Sequence, residues 1–128
     1  MKEISDAFGR RLKKSGITRI QWIALYYINA NQNITQRELS KLMFVKDSSV
    51  GRLLDRLERD NMIKRIRNKE DRRNINIILT EEGKTKIDAL IPEGDKFNNK
   101  LIEGLTEGEL RIFEKVVFTM VRNIKDYE

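Results

Sequence analysis

The sequence predicts a mainly α chain that carries a single β-hairpin, an α+β arrangement. Three observations predict it. Capping signals recur along the chain: Thr18-Arg-Ile-Gln21, Thr35-Gln-Arg-Glu38 and Thr106-Glu-Gly-Glu109 each offer a Thr hydroxyl to an orphan backbone N–H, with a Gln or Glu three residues on to reach back. The segments that follow carry apolar residues at helical spacing. At residues 74–79 the period drops to two, with Ile75, Ile77 and Leu79 alternating with Asn74, Asn76 and Ile78, which is a strand signal.

The first helix is expected over residues 3–14, with Ile4, Ala7, Phe8 and Leu12 on one stripe. Lys13 and Lys14 suit the negative end of its dipole, and Gly16 stops it. Thr18 starts the second helix, over 19–30, which is apolar almost all round from Ile20 to Ile28 and so is expected to be buried. The polar run at 29–33 connects it to a short helix over 36–43 that turns Leu39, Leu42 and Met43 inward. A brief turn begins at Phe44 and Val45. Asp47 or Ser48 is expected to cap the next helix, which runs to about Asp60 on a stripe of Val50, Leu53, Leu54 and Leu57. Asn61 tolerates the left-handed backbone that ends helices.

The hairpin pairs residues 62–67, MIKRIR, with 74–79 across the loop Asn68-Lys-Glu-Asp-Arg72, its isoleucines anchored inward and Asn74 and Asn76 left in water. Thr80 caps a helix over 81–103, with Glu81 and Glu82 favourable at its positive end and Gly83 standing where a complete capping box has Glu. Its apolar residues are Ile87, Leu90, Ile91, Phe97, Leu101 and Ile102; Pro92 removes a backbone donor and is expected to kink or interrupt it. The last helix, 107–125, places Leu110, Phe113, Val117, Met120, Val121 and Ile124 on one side.

Composition narrows the function. At 128 residues, 36% charged and 39% hydrophobic, the chain suits one folded domain with a busy surface. No apolar run approaches the roughly 20 residues a bilayer span needs, and MKEISDAFGRRLKK lacks the apolar centre of a signal peptide. The expectation is a soluble cytoplasmic protein without a membrane partner. There is no Cys and no His, which excludes disulfides, thiolate nucleophiles, ordinary zinc sites and the commonest general base. No phosphate-binding loop, dinucleotide fingerprint or nucleophile elbow occurs. No catalytic residue, metal or cofactor is expected; an enzyme working with carboxylates alone is the least favoured class. The net charge of +6 is uneven: +4 over residues 1–34, +5 over 35–79 and −3 over 80–128. Such asymmetry suggests a part that faces a polyanion and a part with another task.

A short capped helix, a tight turn and a second amphipathic helix make a helix-turn-helix, whose second helix would enter a major groove. Its outward face carries Ser48, Ser49, Arg52, Asp55, Arg56 and Arg59. Arginine can take guanine O6 and N7 together, and serine can reach bases or phosphates. Ser48, Ser49 and Arg52 are therefore the base-edge candidates, while Arg56 and Arg59 suit phosphates. A hairpin placed after such a helix is a wing. Arg65, Arg67, Lys69, Arg72 and Arg73 cluster on its strands and tip, where arginine could enter a narrow A·T minor groove. Asp71 would hold the tip in shape, for instance by pairing with Arg73. The bland alternatives are a solvated amphipathic face and an ordinary charged hairpin.

With TQRELSKLM, SSVGRLLDRLERDNMIKR and DRRNINIILTEEG in this order, the chain resembles the MarR family of bacterial transcriptional regulators. The most specific signature, an Asp-x-Arg wing followed by Leu-Thr-x-x-Gly, matches at Asp71, Arg73, Leu79, Thr80 and Gly83; Asn61 stands where members often have Gly. The resemblance covers nearly the whole chain. It implies a winged helix-turn-helix DNA-binding core at 18–79, a helical dimerisation region at 1–16 and 80–128, and a homodimeric regulator, usually a repressor, on double-stranded DNA. It also implies a small-molecule effector, for which Phe8, Arg11, Trp22 and Tyr26 are the candidate pocket residues, although aromatics on a buried helix are more often core. Release by metals or thiol oxidation loses its usual residues here. The runner-up is a winged-helix protein-interaction module that reads no DNA sequence.

Overall fold

A computed structural model describes residues 2–127, which run α1 (Lys2–Lys13), α2 (Arg19–Ala30), β1 (Ile34–Thr35), α3 (Gln36–Met43), α4 (Asp47–Arg59), β2 (Ile63–Arg67), β3 (Ile75–Leu79), α5 (Glu81–Leu101) and α6 (Glu107–Tyr127). The chain divides into two compact units, the first ending at Gly94 and the second beginning at Asp95. The mainly α winged-helix expectation is met: the first unit packs helices around a three-stranded antiparallel sheet of order β1-β3-β2. No helix of the described residues is long and apolar enough to cross a membrane.

Local chemistry sets the element boundaries. Thr18, Thr35 and Thr106 each accept from the third residue on, and that residue's side chain accepts from the Thr backbone N–H, so all three capping boxes form. Gly16 takes φ +73° after α1, and Asn61 takes φ +59° after α4. The hairpin register runs from Ile63 opposite Leu79 to Arg67 opposite Ile75, which sends Ile63 and Ile77 inward together with Ile34. Leu12, Leu25, Leu39, Val50, Leu54, Leu57, Ile87 and Leu90 close over them in one continuous apolar cluster. Leu12, Ile87 and Leu90, from the helices that flank residues 18–79, share this core.

Several expectations need correction. The polar run before α3 leads into a short third strand, β1, whose two residues pair with Ile77 and Asn76. Helix α2 is buried on one side only, at Ala24, Leu25 and Ile28, whereas Ile20 and Tyr26 are exposed, because its neighbours cover a single face. Leu42 is exposed, and beside Leu39 the buried position on α3 is Ser40, whose hydroxyl donates to the Gln36 carbonyl. Neither Asp47 nor Ser48 caps α4: Lys46 is the N-cap without a side-chain bond, and Asp47 falls in the first turn, where its charge favours the dipole. Asn74 and Asn76 are half-buried and donate to Asp71 and to the Asn33 carbonyl rather than standing in water. Pro92 lies inside α5 and does not interrupt it: the helix runs from Glu81 to Leu101.

The second unit holds the end of α5, a turn with Gly104 at φ +87°, and α6. No described residue of α6 is buried, and Ile112, Phe113, Phe118, Met120 and Ile124 are each about 60% exposed or more.

Candidate nucleic-acid interface

Helix α4 presents two chemically distinct faces. Val50, Leu53, Leu54 and Leu57 are buried, and Ser48, Ser49, Arg52, Asp55, Arg56 and Arg59 are exposed on the other side. The turn that aims it begins at Phe44, which takes a left-handed backbone at φ +57° and lets the Val45 N–H reach the Ser40 carbonyl at 3.2 Å. A left-handed non-glycine costs roughly 1–2 kcal/mol, so packing on both sides of the turn must hold it. Among the described residues no carboxylate pairs with Arg52 or Arg56. Arg59 contacts Asp60 at 3.6 Å, an exposed pair of the kind that contributes little.

The hairpin tip is built by two side chains. Asn68 Oδ1 accepts from the backbone N–H groups of Glu70 and Asp71 at 2.9 and 3.3 Å. Asp71 accepts from the Arg73 N–H at 3.1 Å and Nε at 3.3 Å, and from Asn74 Nδ2 at 3.2 Å. Arg67 Nη1 donates to the Arg72 carbonyl at 3.1 Å and braces the same loop. The tip therefore points Lys69, Arg72 and Arg73 outward, the Arg73 side chain 92% exposed.

Arg65 does not join them. Its Nη2 donates to Asp55 Oδ1 at 2.6 Å and to Glu58 Oε1 at 2.9 Å, and its backbone N–H donates to Glu58 Oε2 at 3.2 Å. Only 22% of its side chain is exposed. The hydrogen bond from Arg65 holds the Glu58 carboxyl below its ordinary range, against the opposing effect of burial, and Arg65 is raised in return. Sequence reading placed Asp55 on the outward face and passed over Glu58; their spacing of three on a helix beside a basic strand was the available signal.

The start of α3, Asp47 of α4 and the wing border one cleft of about 530 Å³, lined by Thr35, Gln36, Arg37, Asp47, Asp71, Arg73, Asn74 and Ile75. A second cleft of about 270 Å³ is lined by Phe8, Arg11, Leu12, Lys14, Ser15, Leu90 and Glu93. It takes in two of the four candidate pocket residues, with Arg11 paired to Glu93 at 3.3 Å. Trp22 and Tyr26 are not among its lining. They stack at 5.4 Å, and the Trp22 indole meets Phe8 edge-on at 5.1 Å and packs on the core.

Comparison with known proteins agrees with this geometry. The family model described as MarR family matches residues 15–74. An HTH-type transcriptional regulator of Bacillus cereus is 31% identical over 116 residues, 90% of this chain and 75% of that protein. The chain belongs to the MarR family. The HTH-type transcriptional repressor MdtR of Bacillus subtilis is 32% identical over 99 residues; the match takes in 77% of this MarR-family chain and 64% of MdtR, less than two thirds of that protein. Among solved structures, MepR of S. aureus in its DNA complex superposes with a TM-score of 0.89 at 27% identity, covering 96% of this chain and 91% of MepR. The architecture is thus the MarR winged helix, and the family is one of transcriptional regulators.

Proposed function

We propose that this chain is a sequence-specific regulator of transcription that binds double-stranded DNA as a homodimer, in the manner of a repressor. The observation that carries the reading is the division of α4: one face locked in the core by four buried residues, the other exposing Ser48, Ser49, Arg52, Arg56 and Arg59 beside a preshaped basic wing. Ser48, Ser49 and Arg52 read base edges in the major groove; Arg56 and Arg59 hold phosphates. Arg73 enters the minor groove, with Arg72, Lys69 and Arg67 around it. That MepR was solved with DNA and that MdtR is named a repressor support the reading.

The dimer is proposed from α6, whose apolar side chains are exposed along its length. A patch of that kind normally marks an association surface, and in a two-fold pair each copy would cover the other. We assign dimerisation to the helical termini and DNA binding to 18–79, the arrangement the charge split favours. The cleft at Phe8 and Arg11 is the candidate effector site, where an anionic group could replace the Glu93 carboxylate on Arg11. Such a regulator works in the cytoplasm.

Selection of duplexes from a random pool by the full chain, followed by sequencing, tests the proposal. The expected product is an inverted repeat. Recovery of no enriched sequence would leave the protein-interaction module as the reading.

A further inference from the structure

We infer that Arg65 is a positioning residue that couples the wing to α4, so that helix and hairpin meet a duplex as one rigid reading head. The inference rests on the DNA-binding reading above. Arg65 lies directly opposite Ile77, a fully buried residue at the middle of the sheet, and shares its face, so its strand position is fixed by the buried neighbour. From there its guanidinium reaches back to α4 and takes two carboxylates on one nitrogen, Asp55 at 2.6 Å and Glu58 at 2.9 Å, while its main chain adds a third bond to Glu58 at 3.2 Å.

Residues two apart on a strand share a face. Arg67, two residues on, uses that same face of β2 to hold the Arg72 carbonyl at 3.1 Å. Two side-chain bridges, two residues apart on β2, therefore tie the strand to α4 at Arg65 and to the wing tip at Arg67. Charge-assisted bonds of this kind are directional as well as strong, because the planar guanidinium fixes where its partners sit. The spacing between the two groove-reading elements is then set by Arg65 rather than by the loop.

The clamp also has an electrostatic side, and the two roles can be separated. Asp55 and Glu58 stand on the same helix as Arg52, Arg56 and Arg59, and Arg65 offsets one of their two negative charges. A pure charge effect would change affinity for every duplex alike, since phosphate contacts carry no sequence information. A positioning effect would change the ratio of operator to random-duplex affinity.

The test compares the full wild-type chain with Arg65→Met and with the double variant Asp55→Ala/Glu58→Ala. The first lowers the net charge and the second raises it, yet both break the clamp. Affinities for the selected operator and for a random duplex of equal length are measured by fluorescence anisotropy at one salt concentration. If Arg65 positions the wing, the ratio falls by about tenfold or more in both variants, and protection of the minor groove flanking each half-site weakens in footprints. A smaller fall than that in either variant, or ratios that move in opposite directions, would overturn the inference. Should circular dichroism show Arg65→Met unfolded, the double variant, at two exposed positions of α4, decides alone. A wild type without preference for any duplex is a different result, and it removes the reading beneath.

Discussion

The carbonyl of Met62 occupies the space where a side chain on Gly83 would begin: a β-carbon there would lie 2.9 Å from the carbonyl carbon and closer still to its oxygen. That oxygen accepts from the Thr80 N–H at 3.0 Å, and the Thr80 hydroxyl both donates to the Asn61 carbonyl at 2.6 Å and accepts from the Gly83 N–H at 3.0 Å. The start of α5 is thereby sewn to the turn between α4 and β2. A Glu at 83 would complete the capping box and destroy this approach. Gly83→Ala should lower stability by about 3 kcal/mol, the upper end of overpacking costs, because the obstacle is backbone. Urea unfolding monitored by circular dichroism measures it; a loss below about 0.5 kcal/mol, ordinary for a surface change, would mean that Met62 yields.

Arg73→Ala should weaken operator binding by about 1–3 kcal/mol, and Arg72→Ala should lower affinity for all duplexes alike. The Asp71 contact to Arg73 is exposed, so its loss contributes little to folding. Unchanged operator affinity in the double variant, measured by anisotropy, would sink the role of the wing.

Arg52 and Arg59 lie two turns apart on α4, and they should fail differently. Arg52→Ala should relax the consensus recovered by selection at one position of each half-site, whereas Arg59→Ala should reduce the dependence of log affinity on log salt by about one. If Arg52→Ala returned the wild-type consensus at full information, base reading would belong to Ser48, Ser49 or Arg56.

On α6, Val117→Asp should cost on the order of 3 kcal/mol of dimer stability, because an unpaired charge would enter an apolar contact. Dimer and operator affinity should fall together. Two α4 helices on one side of a duplex require half-sites about 34–36 Å apart. Sedimentation at micromolar concentration is the direct check, and a wild-type monomer that binds one half-site at full affinity would refute the dimer.

Glu58 supplies a pH dependence. Its folded pKa is depressed below the ordinary 4.5 by the Arg65 hydrogen bond. A depressed carboxyl contributes stability that is fully present above its unfolded pKa and is lost as pH falls through the folded value. Thermal melts of wild type and Glu58→Gln should differ most near neutrality and converge below pH 4.5. With 42% of the Glu58 side chain exposed, the difference should be small and shrink in salt. A gap that widened toward acid would contradict the assignment.

The candidate interface was legible in the sequence where its chemistry is local. Thr35 and Glu38, the α4 stripe, and Asp71 with Arg73 interact within a few residues of one another, so spacing alone determined the two helices, the shaped tip and which arginines of α4 face outward. Family signatures at Asp71, Arg73, Leu79, Thr80 and Gly83 did the same for the architecture.

What tertiary structure decided involves partners distant in sequence. Arg65 is a wing cation by position, yet Asp55 and Glu58, 10 and 7 residues away, draw it back to α4. Gly83 reads as an incomplete cap until the Met62 carbonyl is seen against it. The two-residue strand β1 exists only because Ile77 and Asn76 offer it an edge 41 or more residues later. Trp22 and Tyr26 share a helix face with pocket-like chemistry, but the core and Phe8 claim the indole. Local pattern sets the period and the ends of each element; which side is covered, and which charges are already paired, depends on what the rest of the chain brings alongside.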